Sequence, residues 1–157
     1  MITTKENFRD IRDGIRKNNK KLVFTNGCFD IIHRGHVTYL NEAKKLGDYL
    51  VIGLNSDESV KRLKGDSRPV NKEDDRAFIL DNLKSVDYVI KFEEDTPYNL
   101  IKDLIPDFLV KGGDWKEEDI VGHDIVKSNG GKVFSLNFVD NYSTTGILKK
   151  IDEANYK

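Results

Sequence analysis

Two imidazoles lie three residues apart in Ile32-His33-Arg34-Gly35-His36, and they are two of only three histidines in the 157-residue chain. At that spacing one ring sits in a loop and the other on a first helical turn, so both can face one bound group and donate N–H bonds to it. Such donors suit an anion held between them. Gly35 lets the backbone approach the same group with no Cβ in the way. Lys21-Leu22-Val23-Phe24 upstream reads as a buried strand. Downstream, Val37, Leu40, Ala43 and Leu46 recur at helical spacing until Gly47. The pair therefore falls where a strand feeds a helix amino end. In a parallel α/β sheet that junction binds ligands, because unpaired helix amides and the helix dipole favour an anion.

The rest of the chain supplies elements of the right kind. Residues 4–19 carry an apolar stripe of Phe8, Ile11 and Ile15 on a charged helix. Strands are expected at 21–25, 49–54, 86–90, 107–110 and 132–136, and the second reads as a continuous apolar run of the kind buried on both faces. Helices are expected after each. One follows the histidines over about 35–46, and one is capped by Ser56 with acids in its first turn. The next opens at Asn71 or Asp74, another at Thr96-Pro97, and a short one spans Ile120 to Ser128. The last is capped by the hydroxyls of Ser143-Thr144-Thr145. Strand and helix alternate without repeats or a long linker, so the expectation is one α/β domain over residues 1–157, with a parallel sheet covered on both faces.

Composition narrows the function. With 26 basic and 27 acidic residues there is no global pull toward nucleic acid or an anionic membrane, so phosphate binding must come from local arrangement. No apolar run approaches the roughly 20 residues of a membrane span, the first residues lack a signal core, and the lone Cys28 cannot close an intrachain disulfide; a cytoplasmic protein is expected. Cys28 reads as a packing residue, and no Cys/His metal pattern is present. Both G-x-x-x-x-G-K-[ST] and a strand-borne G-x-G-x-x-G are missing, so any phosphate grip uses side chains and helix ends.

The longer run Thr25-Asn26-Gly27-Cys28-Phe29-Asp30-Ile31-Ile32-His33-Arg34-Gly35-His36 resembles the H-x-G-H signature of the cytidylyltransferase-like nucleotidyltransferases, and most of all the heptose-1-phosphate adenylyltransferases, or ADP-heptose synthases. The resemblance extends from about Lys21 to Ile151 and implies a Rossmann-like, doubly wound, five-stranded sheet in the order 3-2-1-4-5. It makes His33, His36 and Lys64 the candidate catalytic residues. Lys64 lies in Arg62-Leu63-Lys64-Gly65, which follows Asn55-Ser56-Asp57-Glu58; both stretches match family segments. Candidate nucleotide contacts are Thr25, Asn26, Gly27, Phe29 and Gly35, then Lys111, Gly113 and Asp114 of the V-K-G-G-D segment, and Tyr142, Ser143, Thr144 and Thr145 in place of the family's I-S-T-T. Asp30, Asp57 and Arg76 are candidate contacts to the second substrate.

What the resemblance implies is transfer of AMP from ATP to a sugar phosphate, with Mg²⁺ bridging the phosphates, in a homodimer that serves lipopolysaccharide synthesis. Glycerol-3-phosphate cytidylyltransferase and FAD synthetase-like activities are the neighbouring alternatives, and a non-catalytic nucleotide-binding module is the alternative of another class. Many cytidylyltransferases carry R-T-x-G before I-S-T-T; Val139-Asp140-Asn141 stands there instead, leaving the tail phosphates one cation short unless Lys64, Arg68 or Arg76 compensates.

Overall fold

Strands that run apolar without alternation need cover on both faces, and the chain provides it. A computed structural model describes residues 1–137 and 142–155 and places six parallel strands in one sheet. In chain order the elements are β1 (Ile2–Thr3), α1 (Lys5–Lys17), β2 (Leu22–Gly27), α2 (Arg34–Lys44), β3 (Tyr49–Asn55), α3 (Asp57–Lys64), α4 (Glu73–Asp81) and β4 (Tyr88–Phe92). They continue with α5 (Tyr98–Leu104), β5 (Phe108–Gly112), a 3₁₀ turn (Glu117–Asp119), α6 (His123–Ser128), β6 (Lys132–Leu136) and α7 (Thr144–Asn155).

The sheet order is β1-β4-β3-β2-β5-β6. Its last five members are the five expected strands in the expected order, and β1 is a correction. Ile2 and Thr3 add a sixth, edge strand opposite Val89 and Ile90. Two residues are too few to show a period of two, so only the pairing defines this strand. Within β2, Leu22 and Phe24 pack with α1 and α5 side chains such as Phe8, Ile101 and Leu104. Val23 joins Leu40, Ala43, Ala77 and Leu80 of α2 and α4 on the opposite face.

Several boundaries move for identifiable reasons. α4 opens at Glu73 with Lys72 in the cap position, because the Asn71 side chain donates to the Asp30 carbonyl instead, at 2.8 Å. β4 starts two residues late, since Asp87 is spent accepting from the Leu50 amide at 2.7 Å. Asp107 likewise accepts from the Leu22 amide and from Arg12 below β5. The helix expected over Ile120–Ser128 is broken by Gly122, whose φ of 87° is left-handed and whose Cβ position lies 2.6 Å from Ile101 Cδ1. Val139-Asp140-Asn141, where the family's arginine is absent, lies outside the described residues.

Candidate active site

β2 ends at Asn26-Gly27 in the middle of the sheet, and the strand order reverses there: β3 and β4 lie to one side, β5 and β6 to the other. This is where an open α/β sheet leaves a crevice beyond its carboxyl ends. A cavity of about 560 Å³ occupies it, within the range of small-ligand sites. The ends of β2, β3 and β5 reach it through Asn26, Gly27, Asn55, Lys111 and Gly112.

From Gly27 the chain turns through Cys28, Phe29 and Asp30. Phe29 holds a left-handed φ of 44°, uncommon for so bulky a side chain. The strain has a visible result. Its buried ring lies under Gly27, where a Cβ would sit 3.0 Å from Cε2, and leans on the His36 ring at 5.4 Å. Cys28 lines the cavity, but burial pushes its thiol up, which agrees with an unreactive packing role.

α2 begins at Arg34, with His33 in the cap position making no side-chain cap bond. The first backbone bond into the helix comes from Val37 to the His33 carbonyl, so the amides before it keep no intrahelical acceptor. The His33 and His36 rings stack with centroids 3.9 Å apart and planes 25° from parallel. Among the described residues, Nδ1 of each ring is buried without a hydrogen-bond partner. Leaving such an atom unpaired costs on the order of 1–3 kcal/mol, which is a reason to look for a ligand. Burial, and secondarily His33, pushes His36 down to about 4, and burial alone lowers His33, so the pair is neutral near pH 7 with one N–H each to give.

The amino end of α7 is fastened to this loop. Thr144 Oγ1 donates to the Ile31 carbonyl at 3.5 Å, and the Arg34 guanidinium lies 5.7 Å from the centroid of the Tyr142 ring, which faces His33. Gly35 makes the approach possible: a Cβ there would be 3.0 Å from His33 Cε1, His33 Nδ1 and Tyr142 Cβ alike. Ser143 caps the helix, its Oγ accepting from the Gly146 amide at 3.0 Å, while Thr144 and Thr145 line the cavity.

The same cavity is lined by cations. Lys64 at the end of α3, Arg68 beyond it and Lys111 at the end of β5 all line the cavity. Burial lowers Lys111, with Lys64 adding to the effect. Gly113, with φ of 117°, turns the chain away from the site, its amide on the Leu136 carbonyl and its own carbonyl taking the Ser135 hydroxyl. Asp114 is exposed and Trp115 folds back to donate Nε1 to the Gly112 carbonyl at 3.0 Å.

Four expected contacts take a different place. Thr25 is fully buried, its hydroxyl 2.6 Å from that of Tyr39. Because Tyr39 donates its single proton to the Val110 carbonyl, Thr25 must be the donor in that pair, and it ties β2 to α2 without reaching the cavity. Arg76 has no exposed surface and spends its guanidinium on the Asn71 carbonyl, the Cys28 carbonyl and Asp57, so Arg76 and Asp57 brace the loop from behind. Asp30 borders the cavity, yet its side chain is only 1% exposed and both oxygens are taken. Arg68 Nε donates at 2.6 Å and the Val70 and Asn71 amides at 2.9 Å. Burial pushes that carboxyl up, but the two amides and Arg68 outweigh it and hold it below its ordinary range. Apart from Arg76 on the Asn71 carbonyl, these roles rest on contacts between residues 14 to 48 positions apart, which no local pattern carries. The same holds for Tyr39 and Asn55, which line the cavity without having been singled out as contacts, whereas Arg68, named as a compensating cation, lines it as well.

Sheet reversal, cavity and imidazole pair together define a doubly wound α/β domain with a cleft suited to a phosphorylated ligand. The chain belongs to the cytidylyltransferase-like family, whose model matches residues 24–150. It is 54% identical to the bifunctional protein HldE of Salmonella dublin, and equally to that of Salmonella enteritidis PT4, over 156 residues, or 99% of this chain. That match covers 33% of those proteins, so the chain spans about a third of the length of the curated relatives it matches. Among solved structures it is similar to the lipopolysaccharide core biosynthesis protein of Thermoplasma volcanium, with 30% identity and a TM-score of 0.63 over 79% of this chain and 99% of that one. It also shares its fold with pantoate-β-alanine ligase of Francisella tularensis, at 17% identity and a TM-score of 0.61 over 100% of this chain and 79% of that one.

Proposed function

We propose that this domain transfers AMP from ATP to a sugar phosphate, with D-glycero-D-manno-heptose 1-phosphate as the acceptor and ADP-heptose and pyrophosphate as products. One observation carries the reading: two stacked, neutral imidazoles with unpartnered buried nitrogens sit at a helix amino end beside a cavity of about 560 Å³. The second ionisation of a phosphate monoester lies near ~6, so the acceptor oxygen is already an anionic nucleophile at neutral pH. That oxygen attacks the α-phosphorus in line as the bond to the bridging oxygen of the β-phosphate breaks. Pyrophosphate leaves with the electron pair, and no proton has to move.

The protein's share is position and charge. His36 and His33 donate to the α-phosphate oxygens, with contacts that tighten as the transition state forms. The free amides opening α2 and the hydroxyls of Thr144 and Thr145 hold the triphosphate tail, with Asn26, Gly27 and Lys111 against the nucleoside. Lys64, which lines the same cavity, supplies a cation to the phosphates. Mg²⁺ enters with the triphosphate as part of the substrate. Among the described residues no three His, Cys, Asp or Glu side chains converge to hold a metal of the protein's own.

The heptose acceptor is supported by the sequence resemblance and by the relative described as a lipopolysaccharide core biosynthesis protein. Homodimerisation and a cytoplasmic setting belong to the same proposal. No helix among the described residues is long and apolar enough to cross a membrane. The test is a pyrophosphate-release screen crossing ATP, CTP, GTP and UTP with heptose 1-phosphate, glycerol 3-phosphate and FMN. Release is expected with ATP and heptose 1-phosphate. Preferential release with CTP and glycerol 3-phosphate, or with ATP and FMN, would replace this reading by another family activity.

A further inference from the structure

The cavity has two polar walls, and a transfer between two phosphorylated molecules needs both. One carries His36 on the first turn of α2 and Thr144 and Thr145 at the amino end of α7, which follows β6. The other comes from the segment after β3 and carries Lys64 and Arg68. Lys64, Arg68 and Arg76 are the three candidate cations the sequence offers from this side, and the structure separates them. Arg76 is exhausted, with its guanidinium on two carbonyls and Asp57 and no exposed surface. Lys64 is an exposed, single-point donor. Arg68 alone is both held and open. Its Nε is fixed by the buried Asp30 at 2.6 Å, while among the described residues Nη1 and Nη2 have no hydrogen-bond partner, and the side chain, 18% exposed, borders the cavity.

The clamp is more than one bond. Asp30 also takes the Val70 and Asn71 amides and returns its carbonyl to the Asn71 side chain, so four contacts from one residue fasten residues 68–71 over the cleft. A guanidinium anchored through Nε presents its two remaining nitrogens as a planar fork, the shape that pairs with two oxygens of one phosphate. In-line displacement puts the attacking group opposite the departing pyrophosphate, hence away from the tail held at α2 and α7. We propose that Arg68, set by Asp30, binds the phosphate monoester of the acceptor. The proposal rests on the reading of the domain as a nucleotidyltransferase.

Calorimetry separates it from that reading. Wild type, Arg68→Gln and Arg68→Lys are titrated with α,β-methylene-ATP, then with heptose 1-phosphate or glycerol 3-phosphate, while amide exchange at Val70 and Asn71 reports the clamp. Arg68→Gln is expected to weaken the phosphate monoester at least tenfold and the nucleotide less than threefold, with both amides still protected and Arg68→Lys in between. Equal losses for both ligands, no loss, a loss that tracks exposed amides, or a wild type that binds neither monoester would overturn it. A wild type that binds both ligands, yet releases no pyrophosphate when ATP replaces the analogue, would refute the transferase reading and leave the Arg68 assignment standing.

Discussion

His36 answers two demands that pull apart. It must be dry enough for its donated hydrogen bond to count, yet close enough to the cleft to reach a phosphate. Burial against Phe29 and stacking on His33 meet the first, and position at the cavity wall meets the second. Removing one such donor from a developing anion costs on the order of 10²–10³ in kcat. His36→Ala is therefore expected to lower kcat by about 10²-fold or more in a pyrophosphate-release assay, and turnover at the wild-type rate would remove His36 from the chemistry. Gly35 sets a competition of magnitudes. Alanine in a helix is worth about 1 kcal/mol over glycine, but here its Cβ would press on the His33 ring and on Tyr142 at 3.0 Å. Gly35→Ala is thus expected to leave the melting temperature within a few degrees while cutting kcat at least tenfold. A variant that melts normally and turns over normally would show that His33 need not be where it is.

At the scale of elements, the junction of β2 and α2 was plain in the sequence because both sides of it are local patterns. The apolar run to Phe24 and the 3.6-residue recurrence of Leu40 and Ala43 meet at the histidines, and the structure keeps them there. What could not be read was the bracing, since Asp30 reaches residues 68–71, and Asp57 reaches Arg76, only across folded chain. A polar residue in a conspicuous motif looks the same in a sequence whether it touches ligand or holds the loop that does. The 3₁₀ turn and the split before α6 were hidden for a related reason, because Gly122 is required by Ile101 on another helix. Tyr39 belongs to this scale as well. Its hydroxyl links β2 through Thr25, α2 through its own backbone, and β5 through the Val110 carbonyl. Tyr39→Phe leaves a buried carbonyl and hydroxyl without that partner, and about 1–3 kcal/mol of stability is expected to go with it. An unchanged urea midpoint would deny the bridge.

Over the whole molecule the net charge is only −1, so affinity for a triphosphate depends on where charges and dipoles are gathered. Cations and unpaired helix amides collect at one end of the sheet, on both sides of the β2 reversal. The fold also carries the titration of its site. His36 titrates near 4 when folded and at an ordinary 6.5 or so when unfolded, so the unfolded chain binds the extra proton between those values. The stability that comes from keeping this ring neutral is complete above about pH 6.5 and lost as pH falls toward 4. Chemical denaturation of wild type and His36→Gln across that window should show a gap in the slope of stability against pH, and parallel slopes would contradict the burial. The most direct test of the grip on phosphate is NMR titration of the His36 imidazole with and without α,β-methylene-ATP. In the free protein the ring should stay neutral down to about pH 4. With the nucleotide bound, neighbouring phosphate charge should move its protonation upward by a unit or more. A His36 titration that the nucleotide does not move would contradict the account.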